Sequence, residues 1–383
     1  MFVIIFLLAL SVLVIIHELG HYVAARLFGV KADEFGFGFP PRLIGVVKDR
    51  GRWKIVSPRD HTPYAHTIWS LNWLPLGGFV RIKGEQDDGM NDPDSIHAKP
   101  IWQRIVIIAA GVIMNWFLAV TLFSIIFSLG TVAALTDIPA HARIAHRSIV
   151  ITHVLENSPA AKSGIETGDE LLRIGGTVPV SAENARTAIS ASGVRSTVLT
   201  VKRDSKELTL TMTPVYLAEI KKQGIGVALE DIGTVSFPLP QAILQSVILT
   251  ADLTRGIVVA LGDVVRQLFV GKVAQDLSGP VGIAVIANRI AKQGITPFLQ
   301  FAALLSVNLA VINFLPIPAL DGGRVLFLAI EKIRRRPISR HIEIGIHNIA
   351  FILLLLIILL VTARDLTRYG GVIVGGMRGA IGL

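Results

Sequence analysis

The chain has 383 residues, 52% of them hydrophobic and 17% charged, with a mean hydropathy of +0.61. That is too apolar for an ordinary soluble enzyme and fits a polytopic membrane protein. The net charge of +9 fits cationic loops on the inner side of a membrane, so nucleic acid is not an expected partner. With no cysteine, disulfides and cysteine-ligated zinc are excluded, and any metal must use His and carboxylates.

The first apolar run carries no charge from Met1 to Ile16 and resumes at Tyr22 before Arg26. Inside it lies His17-Glu18-Leu19-Gly20-His21. On a helix, His17 and His21 fall one turn apart on one face. Two such imidazoles can hold one Zn²⁺, with Glu18 as general base toward water. The pattern is short and recurs by chance in soluble helices. In an apolar span, though, three unpaired ionisable groups would be costly to insert. The run lacks the basic start and small-residue cleavage site of a signal peptide. It therefore reads as a retained transmembrane helix over residues 1–28, with its N-terminus outside.

Residues 29–100 read as a cytoplasmic or membrane-associated β-rich loop. Glu34-Phe-Gly-Phe-Gly-Phe-Pro-Pro alternates aromatic residues with glycine, and short strands are expected at Trp53–Val56, Thr67–Leu74 and Gly78–Ile82. Glu85 to Asp94 reads as an acidic, solvated loop. Residues 101–130 form the second expected span, running from inside to outside. Residues 140–216 read as a separate extracytoplasmic α+β domain. The expected elements are a strand from Ser148, a short helix ending at Gly164, a strand after Gly168, a helix over 182–190 and a closing hairpin. Residues 238–296 are amphipathic, and Asp252, Arg255, Asp263 and Arg266 interrupt any full span. They are expected to form interfacial helices, with a fifth span as the alternative.

Residues 297–323 form the third expected span, and Arg324, Lys332, Arg334, Arg335 and Arg336 place its end in the cytoplasm. A fourth span is expected over 340–363. A catalytic zinc site takes three protein ligands, so one more is needed beside the two histidines. Asp321, at the cytoplasmic end of span three, fits. Alone it would read as the cap of the next helix, with Gly322-Gly323 as a turn; with two histidines in span one it reads as a ligand. Pro316 and Pro318 interrupt the helix before it. His61, His66, His97, His141, His146, His341 and His347 lack a paired carboxylate or a helical His partner and read as loop or interface residues, and His153, in a strand of the external domain, reads as a structural or surface histidine. Asn115 and Asn308 read as packing or polar glue between helices.

His17-Glu18-x-x-His21 and Leu320-Asp321-Gly322-Gly323 together resemble the two hallmark motifs of the site-2 protease family, in its bacterial regulator-of-sigma-E protease type. Gly111-Val-Ile-Met-Asn115, Pro75-Leu-Gly-Gly-Phe-Val and Leu277-Ser-Gly-Pro-Val-Gly support the match. The external domain resembles a bacterial PDZ domain in Ser158-Pro-Ala-Ala and Gly168-Asp-Glu-Leu-Leu-Arg-Ile. Well-known relatives carry two tandem PDZ domains, and this chain has room for one.

The resemblance implies a polytopic α-helical membrane protein of about four transmembrane helices, with a β-rich loop and an inserted PDZ domain. It implies an intramembrane zinc metalloprotease of the bacterial inner membrane, with its active site toward the cytoplasm. His17, His21 and Asp321 would hold Zn²⁺, and Glu18 would move the proton. Asn313 would position the substrate backbone; helix–helix hydrogen bonding is the alternative for it. The aromatic strands would pair with an unwound substrate segment. The implied substrates are transmembrane proteins, either anti-sigma factors or signal-peptide remnants. The external domain would serve as a peptide binder or a steric gate. An inactive membrane scaffold is a further alternative, against which the intact Glu18 argues. A serine hydrolase is not expected, because no Ser lies in a Gly-x-Ser-x-Gly context.

Overall fold

The structure, a computed structural model, describes residues 2–60, 62–85, 92–136, 138–139, 141–193, 195–204, 206–217, 222–270, 279–336 and 338–381. The chain begins with helix α1 (Phe2–Leu27), strands β1 (Ala32–Asp49), β2 (Arg52–Val56) and β3 (Ile68–Ile82), and helix α2 (Ile101–Leu129). Next come β4 (Thr131–Ala134), β5 (Arg143–Val154), α3 (Pro159–Lys162), β6 (Glu170–Ile174) and α4 (Ala182–Ala191). Strands β7 (Thr197–Arg203), β8 (Lys206–Met212), β9 (Val215–Leu217), β10 (Lys222–Gly224) and β11 (Val227–Ser236) follow. Helices α5 (Leu239–Phe269), α6 (Pro280–Ala291), α7 (Ile295–Phe314), α8 (Asp321–Arg334) and α9 (Arg340–Ile381) complete the described chain. Two compact units result: residues 1–123 with 245–383, and residues 124–244.

Among the described residues, four helices are long and apolar enough to cross a membrane: Phe6–Leu27, Ile101–Leu129, Ile295–Phe314 and His341–Arg368. Four such segments were expected. The last apolar stretch is longer than the expected 340–363, because helix continues through the polar residues Arg364, Asp365 and Arg368. Asp365 is buried, and its carboxylate accepts a 2.7 Å bond from the Gly282 N–H in the first turn of α6. Helix α6 has no side-chain cap of its own, so a carboxylate from α9 satisfies one of its orphan amides. The Leu277-Ser278 part of the sequence match lies outside the described residues.

Helix α5 is one continuous 31-residue helix. Its Leu253, Ile257 and Leu261 pack on Ala119 of α2 and on Val307 and Val311 of α7. The apolar stripe at 253–261 therefore packs on protein.

The expected strand at 53–56 forms as β2, while those at 67–74 and 78–82 merge into one long, bent strand, β3. Strand β1 carries the Phe-Gly run through a cis Pro40–Pro41 bond. Its residues 34–37 lie between two stretches of β3, pairing with 78–81 on one side and 68–71 on the other. Beyond the bend, Arg42 pairs with Asn72, Ile44 with Leu71 and Gly45 with Ser70, and β2 then pairs with residues 45–49. Arg42 reaches back across the bend to the buried Glu34, with Nε 2.9 Å from Oε1. Burial raises the Glu34 pKa, but the hydrogen bonds and charge of Arg42 outweigh it and hold the carboxyl below its ordinary value. At the foot of the expected acidic loop, Lys83 pairs with Asp92 and Asp94; residues 86–91 lie outside the described residues.

The second unit is a six-stranded sheet in the order β4-β11-β5-β6-β7-β8. The expected strand, short helix, strand, helix and hairpin all form, as β5, α3, β6, α4 and β7–β8. The sheet does not stop at Tyr216. Strand β11 pairs antiparallel with both β5 and β4, which extends the unit at both ends. Glu230 and Asp231 fall in the middle of β11 and hide its strand pattern. Asp231 points to the start of α4, where Oδ1 accepts from the Ala182 N–H at 2.8 Å. Ile151, Leu171, Leu199 and Leu229 of the sheet enclose Ala185 and Ile189 of α4 in one core.

Asp169, 1% exposed, takes a bidentate pair from Arg203, with Nε–Oδ1 and Nη2–Oδ2 both 2.7 Å. Those bonds hold its carboxyl below the ordinary value against the opposing effect of burial. A depressed folded-state pKa contributes stability that is present above the unfolded value and lost as pH falls through the folded one. Amide-exchange protection at Ile151, Leu171 and Leu199 is therefore expected to fall as pH drops below about 4. Asp169→Asn should start less protected and lose less over the same range. Equal acid sensitivity in the two proteins would dismiss this pair as the cause.

Candidate metal centre

Helix α1 forms because an unbroken apolar run without Gly or Pro extends to Ile16. The His-Glu-x-x-His segment lies two turns before its C-terminus, and both histidines are buried. Helix α2 crosses directly against it, and glycines set how closely. A Cβ at Gly20 would overlap the Ala110 carbonyl of α2. A Cβ at Gly111 would run into both imidazoles, including a 2.8 Å approach to His17 Nε2. The missing side chain of Gly20 lets α2 approach, and that of Gly111 is the space in which the rings stand.

Asp321 arrives from the other side. Helix α7 ends at Phe314, and the prolines at 316 and 318 prevent its continuation. The break precedes Asp321, which is the first residue of α8, after an N-cap, Leu320, that makes no side-chain cap. Gly322 and Gly323 lie inside that helix, where the turn reading does not hold. A Cβ at Gly322 would overlap the Phe314 and Leu315 carbonyls, and one at Gly323 the Ile317 carbonyl. The glycines thus let the new helix start against the frayed end of the old one. Ala319 holds φ +76°, a conformation costing a non-glycine residue about 1 kcal/mol. Its N–H donates to His347 Nδ1 of α9 at 2.8 Å. His347 is not merely an interface residue: it braces the turn two residues before Asp321.

The three side chains converge. His17 Nε2 lies 2.9 Å from Asp321 Oδ2, His21 Nε2 lies 3.3 Å from the same oxygen, and the two Nε2 atoms are 3.2 Å apart. Donors around a tetrahedral zinc with bonds of about 2.0–2.1 Å stand roughly 3.3 Å from one another. Two imidazole nitrogens and one carboxylate oxygen at these separations fit that ion, and a protein set of three leaves one position open. Among the described residues, these three form the one His, Cys, Asp and Glu group close enough to hold a metal. Glu18 is not part of it. Its Oε2 accepts from the Val80 N–H of β3 at 3.1 Å, on the side of the site where the sheet runs. Asn313 Nδ2, at the end of α7, lies 3.4 Å from His17 Nε2.

Two contacts were not foreseen. His21 Nδ1 donates to the Ile107 carbonyl at 2.9 Å. Asn115, read as interhelical glue, is fully buried with its amide 3.2 Å from His17 Nδ1. The spacing of Gly111 and Asn115 was visible in the sequence, but the register of α2 against α1 was not. Asn308 bonds its own helix at the Leu304 carbonyl.

The model of peptidase family M50 matches residues 5–57 and 60–357, and the chain belongs to that family. A Clostridium perfringens protein assigned by name to the zinc metalloproteases is 35% identical over 368 residues, covering 96% of this chain and 98% of the relative. The regulator of sigma-W protease RasP of Bacillus subtilis is 29% identical over 447 residues, covering 96% and 98%. The PDZ domain of an SdrC-like protein from Listeria monocytogenes is 19% identical, with a TM-score of 0.21, over 23% of this chain and 92% of that one. The protein is thus a zinc metalloprotease of the site-2 type.

If Gly111 is the space for the two rings, Gly111→Ala should displace them without removing a donor. Purified Gly111→Ala is expected to retain clearly less zinc per chain than wild type by elemental analysis. Full zinc occupancy would show that the rings tolerate a methyl group there.

Proposed function

We propose that this enzyme cleaves peptide bonds inside the membrane, with His17, His21 and Asp321 holding the zinc and Glu18 moving the proton. The observation that carries this reading is the meeting of three donor atoms within 4.8 Å among helices apolar enough to span a bilayer. Bound zinc supplies a Lewis acid that polarises the scissile carbonyl and makes the attacking water more acidic. Glu18 takes the proton from that water and passes it to the leaving amine. It sits between the two histidines in sequence, and the Val80 amide orients its carboxylate. Asn313, beside His17 at the end of α7, offers an amide to the substrate backbone next to the reacting carbonyl.

The substrate enters extended. A helical peptide hides its amides and its scissile carbonyl, so it must unwind before attack. Residues 78–82 of β3 pair with β1 along one edge. Gly77 and Gly78 seat this strand on α1, where a Cβ would press on Val14 and Ile15. An apolar groove lined by Ile15, Phe35, Phe37, Val46, Trp69 and Leu71 lies on the same sheet and suits the side chains of a transmembrane segment.

The Lys and Arg residues of α8 support a cytoplasmic location for the segment between α7 and α9. That puts the zinc toward the cytoplasmic side and residues 124–244 outside. The order of strands and helices in that unit supports a single PDZ-type domain, which meets the substrate's external part. The name of the Bacillus relative, a regulator of sigma-W protease, supports membrane-anchored anti-sigma factors as the substrate class.

The test is cleavage of a model transmembrane substrate in detergent by wild type and Glu18→Gln, with zinc measured on both. The variant is expected to keep its zinc and lose activity by about 100- to 10,000-fold, the usual share of general acid–base catalysis. Equal activity would remove Glu18 from the chemistry. Zinc lost from Asp321→Asn and from His21→Ala would complete the ligand set.

A further inference from the structure

Helix α2 meets the two histidines at one-turn intervals, through Ile107, Gly111 and Asn115. The Ile107 carbonyl accepts from His21 Nδ1, so the proton of that ring sits on Nδ1 and the lone pair of Nε2 faces Asp321. Gly111 leaves room for both rings. Asn115, four residues on, faces Nδ1 of His17 at 3.2 Å.

As it stands, that last contact presents the amide nitrogen, while Asn115 Oδ1 is buried with no partner. An NH₂ group can only donate, so this rotamer requires a lone pair on His17 Nδ1. The proton of a neutral ring would then sit on Nε2, the atom that faces Asp321 and His21 and would have to bind zinc. A half-turn of the carboxamide exchanges oxygen and nitrogen at nearly unchanged heavy-atom positions. It places Oδ1 on the Nδ1–H of His17 and Nδ2 where the unpartnered oxygen stood, and it turns the Nε2 lone pair toward the other two donors. Either rotamer leaves one end of this buried carboxamide without a partner, so the choice falls to the tautomer that an Nε2 ligand requires of His17.

We propose that Asn115 is a positioning residue for the metal: its carboxamide oxygen accepts from His17 Nδ1 and fixes the tautomer that makes Nε2 a ligand. Helix α2 thus sets both imidazoles, His21 through a backbone carbonyl and His17 through a side chain. Ser306 of α7 donates to the Asn115 backbone carbonyl at 2.8 Å and holds this turn of α2 in place. The proposal rests on the reading of His17, His21 and Asp321 as the ligand set.

The test is zinc affinity of the full-length protein in detergent, by competition with a chromogenic chelator, for wild type, Asn115→Leu, Asn115→Asp and His21→Ala. Aspartate can accept from Nδ1–H but cannot donate; leucine can do neither. Asn115→Leu is expected to bind zinc about 10- to 100-fold more weakly, the usual cost of losing such a partner. Asn115→Asp is expected to stay at or above the wild-type affinity, which also shows that the position tolerates substitution. Loss in Asn115→Asp would mean that the native group donates, overturning the proposal. Wild-type affinity in Asn115→Leu beside loss in His21→Ala would overturn it while leaving the ligand set intact. Equal binding by wild type and His21→Ala would remove the ligand set and the proposal together.

Discussion

Everything in the first unit depends on the distance between α1 and α2. These imidazoles are held from outside because a neighbouring helix comes within hydrogen-bonding reach of their far nitrogens. Helices separated by ordinary side chains stand 8–10 Å apart, and small residues allow a closer approach. Gly20 and Gly111 supply that approach on the two partners. The Ile107 carbonyl and the Asn115 side chain can then act where they do.

The second constraint is the cost of polarity in apolar surroundings. Among the described residues, the ionisable groups buried among these helices find partners. His17 and His21 meet Asp321, Glu18 accepts from Val80, and Asp365 accepts from Gly282. The backbone freed where α7 breaks is treated likewise, with His347 taking the Ala319 amide. This pairing lets irregular chain exist beside spanning helices at all. It also explains why the break is bounded by prolines on one side and glycines on the other. The prolines end one helix, and the glycines let the next begin against its exposed carbonyls.

Much of this was legible in the sequence, for identifiable reasons. The histidines stood out because charge is rare in an apolar run, and Asp321 because a third donor was needed and the prolines marked a broken helix. The order of elements from β5 to β8 followed from alternation and turn residues. What stayed hidden was set by tertiary register. β11 carries acidic residues at mid-strand, one of which caps α4, so its strand pattern is masked by a contact made elsewhere. Asn115 looked like helix glue because an amide in a span usually is, and nothing local says that it stands opposite His17. Asp365 sits at the polar end of an apolar helix, where an exposed charge would be unremarkable. Its role comes from α6, some eighty residues earlier in the chain.

The sheet raises a further point about how the site meets its substrate. A strand pairs through its backbone, so the outer edge of β3 can select for an extended conformation while remaining tolerant of sequence. The Val80 amide is already engaged with Glu18, which ties the position of the proposed base to the position of that edge. A substrate drawn along β3 would therefore be aligned relative to Glu18 by the backbone that orients the carboxylate. Catalysis asks for the reacting groups to be held to a fraction of an ångström. A shared strand meets that demand more simply than a loop would, because moving the strand moves the base and the substrate together.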